Sequence, residues 1–302
     1  MNVIKKKKFN PYTSFSDRFL SLFVWVMLLL ILVLILVPIL FIISSSFSDP
    51  SAVSAGKVFL WPVDFSLIGY QVVFQSPFIV DGFLYSVLYT VLGTAICVTM
   101  TLFAGYPLSR KDLKIRKPVM FLFTVTMFFS GGLIPTYMVV SDLHLLDTIW
   151  AMVIPSAMSV WNVILTKTYI QSSIPDEIYE SCSIDGCSDW KYFISMILPL
   201  SKPIIAVMVL LYAVGKWNDF FTALIYLNDS AKYPLQLILR NILVQNDANG
   251  MVMNLGEQMS RQEVKTLMQY SLIIISSVPV MILYPFIQKY FVKGIMMGSI
   301  KG

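Results

Sequence analysis

Six stretches of this chain are apolar for about as long as a helix needs to cross a bilayer, and that feature constrains the fold more than any other. They run roughly over Phe19–Ile43, Phe83–Leu108, Val119–Val140, Thr148–Ile170, Pro203–Tyr226 and Met268–Phe291. About 20 mostly apolar residues span the hydrocarbon core as a helix. Backbone groups inside lipid must find partners within the protein, which leaves helices or closed barrels. The sequence shows no run of ten-residue apolar/polar alternation of the barrel kind. Of the 302 residues 57% are hydrophobic and 13% charged, against about 25% charged in soluble domains. The expected fold is an all-α membrane protein with six transmembrane helices.

The few charges give the orientation. Of the 22 lysines and arginines, Lys57, Lys216, Lys232, Arg240, Arg261 and Lys265 fall on one side; the rest, including Lys5–Lys8 and the cluster Arg110 to Lys117, fall on the other. Loops rich in Lys and Arg stay in the cytoplasm. Both termini are therefore expected inside a multi-pass protein of the cell membrane. Residues 1–18 form a cytoplasmic segment, 19–82 the first span and an outer loop, 83–291 a five-span core and 292–302 a cytoplasmic tail. The run from Phe19 is too long for a signal-peptide core, and Ser44-Ser45-Ser46 after it makes a poor cleavage site, so an uncleaved anchor is expected. Positive charge gathered at the ends of apolar runs marks membrane topology and gives no groove for nucleic acid.

Enzyme chemistry finds no foothold. Cys97, Cys182 and Cys187 set up no disulfide framework, and the single His144 builds no histidine metal site. The sequence contains no glycine-rich phosphate loop ending in lysine and serine or threonine. No catalytic residues, no metal site and no cofactor of its own are expected.

Residues 171–202 are cytoplasmic yet carry helix signals. Pro175 suits a first helical position and Asp176, Glu177 and Glu180 suit an N-terminal half. Ile174, Ile178 and Cys182 recur at four-residue spacing. Gly186 can take the left-handed conformation that ends a helix, and Ser188 can cap a second one. Trp190, Phe193, Ile194 and Ile197 then form an amphipathic stripe, closed by Pro199 and Pro203. Two short helices meeting at a glycine, between two spans, offer a knob that a moving partner could grip or a cover for the bundle.

This segment resembles the EAA loop of bacterial ABC importer permeases. Glu180 matches its first position, Gly186 its glycine and Leu198-Pro199 its end, while Ser181 and Cys182 replace two alanines and Met196 an isoleucine. Gly105 to Arg110 resembles the end of the second span in sugar permeases. Phe129 to Tyr137, Trp217 to Phe220 and Tyr233 to Gln236 are similar to the complex-glycan branch, which includes permeases for uronate-rich oligosaccharides, and Phe291 to Gly302 resembles the tail of the maltose-type second permease. The resemblance implies a type I ABC importer permease bundle: the transmembrane subunit of an ATP-driven carbohydrate importer, coupling ATPase closure to alternating access. It implies as partners a second homologous permease, two cytoplasmic ATPases carrying ATP and Mg, an extracytoplasmic sugar-binding protein and membrane lipid. Ile178, Glu180, Ser181, Cys182, Asp185, Gly186, Leu198 and Pro199 become the ATPase-coupling residues, with Ser299, Lys301 and Gly302 of the tail reaching between the ATPases.

Gly131, Gly132, Trp217, Asn218 and Asp219 are the candidate translocation path. Lys216 and Asp219, one turn apart, either line that path with Trp217 as a stacking surface, or form a structural pair near the outer interface with Trp217 in an aromatic belt. The two glycines either break the third span into a notch or allow close helix packing. The rival class is a stand-alone secondary transporter or channel. The spans carry almost no charge beyond Lys216 and Asp219, which counts against proton coupling.

Overall fold

The computed structural model describes residues 15–245 and 261–296, and every element among them is helical. In order these are α1 (Phe15–Ser46), α2 (Pro50–Ser54), α3 (Ile68–Gln75), α4 (Pro77–Ser109), α5 (Arg116–Phe128), α6 (Leu133–Asp142), α7 (Ile149–Val153), α8 (Val160–Ser173), α9 (Asp176–Ile184), α10 (Asp189–Tyr192), a π turn (Phe193–Ile197), α11 (Leu198–Leu200), α12 (Lys202–Trp217), α13 (Phe221–Tyr226), a 3-10 turn (Ser230–Lys232), α14 (Leu235–Arg240), a second π turn (Asn241–Gln245) and α15 (Arg261–Met296).

Three helices are long and apolar enough to cross a membrane unaided: Ser16–Ser46, Pro77–Ser109 and Lys265–Pro285. Two bent pairs, Arg116–Phe128 with Leu133–Asp142 at 114° and Asp189–Leu200 with Lys202–Trp217 at 78°, bring the number to five if each counts as one span. The expected fourth span, Thr148–Ile170, is not one helix: α7 stops at Val153 and α8 starts at Val160. Pro155 has no N–H to give to the carbonyl four residues back, and its ring crowds that turn. The expected fifth span also stops early, at Trp217, and resumes at Phe221.

The described residues form two units, one from 15–71 and 261–274, the other from 72–245 and 275–296. In the first, α1 is apolar all round and exposed along most of its length, the mark of a helix that meets lipid. Its serine-rich end is a polar knot. Ser44 Oγ donates to the Leu60 carbonyl at 2.7 Å, Ser48 Oγ to the Ser44 carbonyl at 2.6 Å, and Ser46 Oγ lies 2.9 Å from Tyr70 Oη. Phe47 stacks on Phe65 and Tyr70. The serines read above as a poor cleavage site thus tie residues 60–70 back to the helix end.

In the second unit α4 is the central strut. Ser76 and Pro77 start it six residues before the expected Phe83, with proline at the first turn where its missing N–H costs nothing. At 33 residues it is about 50 Å long, and α5, α7, α8, α12 and α14 all contact it. Gly105 lets α8 come close: a Cβ there would stand 2.9 Å from Thr166 Cγ2. Gly105→Leu is therefore expected to destabilise the purified protein by about 1–3 kcal/mol through overpacking. This would read out as earlier loss of the monodisperse peak after graded heating in detergent; an unchanged profile would show that α4 and α8 can separate freely.

Candidate functional site

The segment between α8 and α12 folds as two helices hinged at a glycine. Asp176 and Glu177 sit in the first turn of α9, where negative charge suits the helix dipole. Pro175 is its N-cap and not its first helical residue. Gly186 has φ +70°, and nothing among the described residues lies within 4 Å of where its Cβ would be; the left-handed backbone demands glycine. Ser188 caps α10, accepting from the Lys191 N–H at 3.3 Å.

One face of α9 belongs to the bundle. Ile174 is buried, and Ile178, Tyr179, Cys182 and Cys187 pack against a cluster that includes Val98, Leu102, Tyr192, Phe193 and Ile197. Glu180, Ser181, Asp185 and Gly186 are exposed on the other side, with Ile184 87% exposed among them. Of the coupling candidates, Ile178 and Cys182 thus brace the segment against its own bundle, and Leu198 joins the same cluster while Pro199 is exposed. The stripe expected at Trp190, Phe193, Ile194 and Ile197 is split. Phe193 and Ile197 are buried, whereas Trp190 and Ile194 are exposed. Residues 193–197 form a π turn, so the 3.6-residue period used to align the four does not hold. Ser299, Lys301 and Gly302 lie outside the described residues.

A polar brace unforeseen in the sequence fastens α9 to the α4–α5 loop. The Arg110 guanidinium lies 3.2 Å over the Tyr179 ring and forks onto Asp112, Nε to Oδ1 at 2.9 Å and Nη2 to Oδ2 at 2.7 Å. The hydrogen bond from Arg110 holds the Asp112 carboxyl below the usual carboxylate range. Lys111 donates to Asp176 at 2.5 Å, Gln171 Nε2 to the Ser109 carbonyl at 2.9 Å, and Tyr179 Oη to Asp189 at 3.1 Å. Guanidinium stacking on an aromatic face with a bidentate carboxylate is a geometry lysine cannot reproduce. The basic cluster 110–117 was legible only as a topology signal.

Within the spans, Gly131 and Gly132 mark the 114° break between α5 and α6. Gly132 has φ +84°, and nothing among the described residues lies within 4 Å of its Cβ position. Of the two readings of these glycines, the break is seen, and close packing is not among the described residues. The Lys216–Asp219 pair does not form. Lys216 Nζ donates to the Met152 carbonyl at 2.8 Å and Ser156 Oγ at 2.6 Å, while Asp219 Oδ1 accepts the Thr222 N–H at 3.0 Å. The α7–α8 break offers an unpaired carbonyl to the lysine, and α13 offers its free N–H to the aspartate. Trp217 is 4% exposed, edge-on to Phe83, with its indole N–H donated to the Ser276 carbonyl at 2.8 Å. Its ring is a packing element, neither a free stacking surface nor part of a belt. Asn218 is exposed beside it.

At the other end of this unit, Asp147 gathers the chain. Its carboxylate accepts the N–H groups of Asn228 and Asp229 and pairs with Lys232 at 3.1 Å. The Asp229 N–H first, with help from Lys232, keeps the carboxyl below its ordinary range.

Comparison with known proteins places this geometry. The chain matches no family model. It is 42% identical over 266 residues to the polygalacturonan/rhamnogalacturonan transport system permease protein YtcP of Bacillus subtilis (strain 168), covering 88% of this chain and 92% of that one. It is 42% identical over 268 residues to protein LplC of the same organism, covering 88% and 89%. Among solved structures it resembles a bacterial ABC transporter involved in the import of the acidic polysaccharide alginate, with a TM-score of 0.84 and 31% identity over 93% of this chain and 100% of that one. With an EAA-like segment, an all-helical bundle and relatives at this level of identity, the chain belongs to the family of sugar ABC transporter permeases.

Proposed function

We propose that this chain forms part of the translocation path of an ATP-driven oligosaccharide importer, in which a second permease, two ATPases and an extracytoplasmic binding protein complete the assembly. The observation that carries this reading is the 171–202 segment: a hinged helix pair braced on one face and open on the other. The chain crosses the membrane six times, through α1, α4, α5–α6, α7–α8, α12–α13 and α15, with both termini in the cytoplasm. The interrupted helices support that count if each broken pair is one span. The subunit is non-catalytic and binds no cofactor of its own; ATP and Mg bind the ATPases. The relatives' names and the alginate importer support oligosaccharides as the cargo class.

The mechanism follows from the brace. When the ATPases close on ATP, they push the exposed face of Glu180, Ser181, Ile184 and Asp185. Because Ile178, Cys182 and Tyr179 are locked to α4, α8 and the α4–α5 loop, the push moves the bundle as a body instead of folding the loop. Gly186 fixes the angle between α9 and α10, and the tail residues Ser299, Lys301 and Gly302 reach between the ATPases. Closure drives transport only if nucleotide binds the outward-open state more tightly than the inward-open one.

Two outcomes are expected. Ser181→Trp overpacks the ATPase groove and Gly186→Val strains the hinge, each costing about 1–3 kcal/mol. Both variants should insert normally yet recover less ATPase on co-purification and import less sugar; parental recovery and uptake in both would reduce the segment to a cover. The purified chain alone in liposomes should pass no sugar, and the full assembly should require ATP and Mg. Gradient-driven flux through the single chain would instead establish a secondary transporter.

A further inference from the structure

The three interrupted spans have first helical portions of similar length. From the end that carries the 171–202 segment, α5 runs 13 residues, α8 runs 14 and α12 runs 16. At 1.5 Å per residue these are about 20, 21 and 24 Å, short of the roughly 30 Å of hydrocarbon. Backbone outside a helix is tolerated at that depth only where protein buries it or where it lines a water-filled cavity. Gly131, Gly132, Ile154, Pro155, Ser156 and Asn218 are exposed at these breaks, so the described residues do not bury them.

Lys216 delivers its charge to the α7–α8 break. Its stem runs beside Gly93, where a Cβ would come within 3.1 Å of both Cδ and Cε. Its ammonium reaches the α7–α8 break and meets only neutral acceptors, the Met152 carbonyl and Ser156 Oγ. Among the described residues no carboxylate stands within ion-pair distance of it. An ammonium has three donors; two are used, and Ser156 beside it is exposed. Capping the end of α7 needs no more than a neutral donor. A full charge at this depth is costly and marks a functional site by default. An ammonium that no carboxylate among the described residues contacts suits a cargo that brings one.

We propose that Lys216 is the specificity-determining residue that holds the carboxylates of a uronic-acid-rich oligosaccharide as it passes the breaks. The proposal rests on the importer reading above and adds to it both a cargo class and a residue. It also relocates the polar contact of the path from Trp217 and Asp219, which are engaged elsewhere, to their neighbour.

The test uses the full assembly in liposomes and measures ATP-dependent uptake of a galacturonic acid trisaccharide and of its methyl ester. Lys216→Gln should slow the acid about tenfold, the worth of one charge-assisted hydrogen bond, and leave the ester within about twofold; Lys216→Arg should keep acid uptake near the parent. Equal acid uptake by parent and Lys216→Gln overturns the proposal. So does equal slowing of acid and ester, which makes Lys216 a structural cap. A parent that imports only the neutral ester also overturns it while leaving the importer reading intact, whereas no ATP-dependent uptake of any sugar sinks that reading itself. If Lys216→Gln does not assemble, carbodiimide coupling of the acid trisaccharide during turnover by the parent decides the matter. An amide to the Lys216 amine is expected, and labelling confined to other lysines would refute the assignment.

Discussion

A peptide group in hydrocarbon has no water to bond, and the second unit is organised around that fact. Where α7 gives way to α8, side chains from α4 and α12 take over the role of the missing helix. Lys216 holds the Met152 carbonyl, the Cys97 thiol donates to the Ser156 carbonyl at 3.3 Å, and Tyr212 Oη accepts the Ser159 N–H at 3.1 Å. Tyr212 is itself held by Thr101 at 2.6 Å. The break is thus stitched shut from one side by two neighbouring helices and left open on the other. Small residues along α4 make this possible, since bulk at Gly93 or Gly105 would drive α12 or α8 away.

The 171–202 end obeys a different constraint. Its backbone can meet water, so its order comes from packing and charge. The Arg110 guanidinium is shared between an aromatic face and a carboxylate, and Lys111 reaches Asp176 in the next connection. Exposed ion pairs contribute little singly, but here they join two connections that flank a buried aromatic cluster. Tyr106 packs on Tyr192 and Phe193 beneath them. The result is one stiff platform, which the hinge at Gly186 and the exposed α9 face project outward.

Local features were legible in the sequence and long-range ones were not. Gly186 and Ser188 could be assigned because a left-handed turn and an N-cap depend on the residue and its immediate neighbours. Hydropathy gave the C-terminal end of α4 to within a residue but not its start, which Ser76 and Pro77 set six residues before Phe83. The Pro155 break was missed because an apolar average does not register a missing N–H. The Trp190–Ile197 stripe failed where a π turn changed the period. Lys216 and Asp219 read as either path-lining groups or a pair one turn apart, whereas the partners of Lys216 lie 60 and 64 residues earlier; spacing along one helix carries no information about a carbonyl freed in another. Arg110 and Tyr179 were likewise separate in the sequence and joined only by the fold.

The early stop of three helices has a mechanical consequence. The insulating septum between the two aqueous sides need only be as thick as the helical portion that remains, about two thirds of the bilayer core by the rise per residue. A thinner septum is sealed by fewer layers of side chains. Fewer layers then have to part for the wetted side to switch, which suits a bundle that must admit a long oligosaccharide.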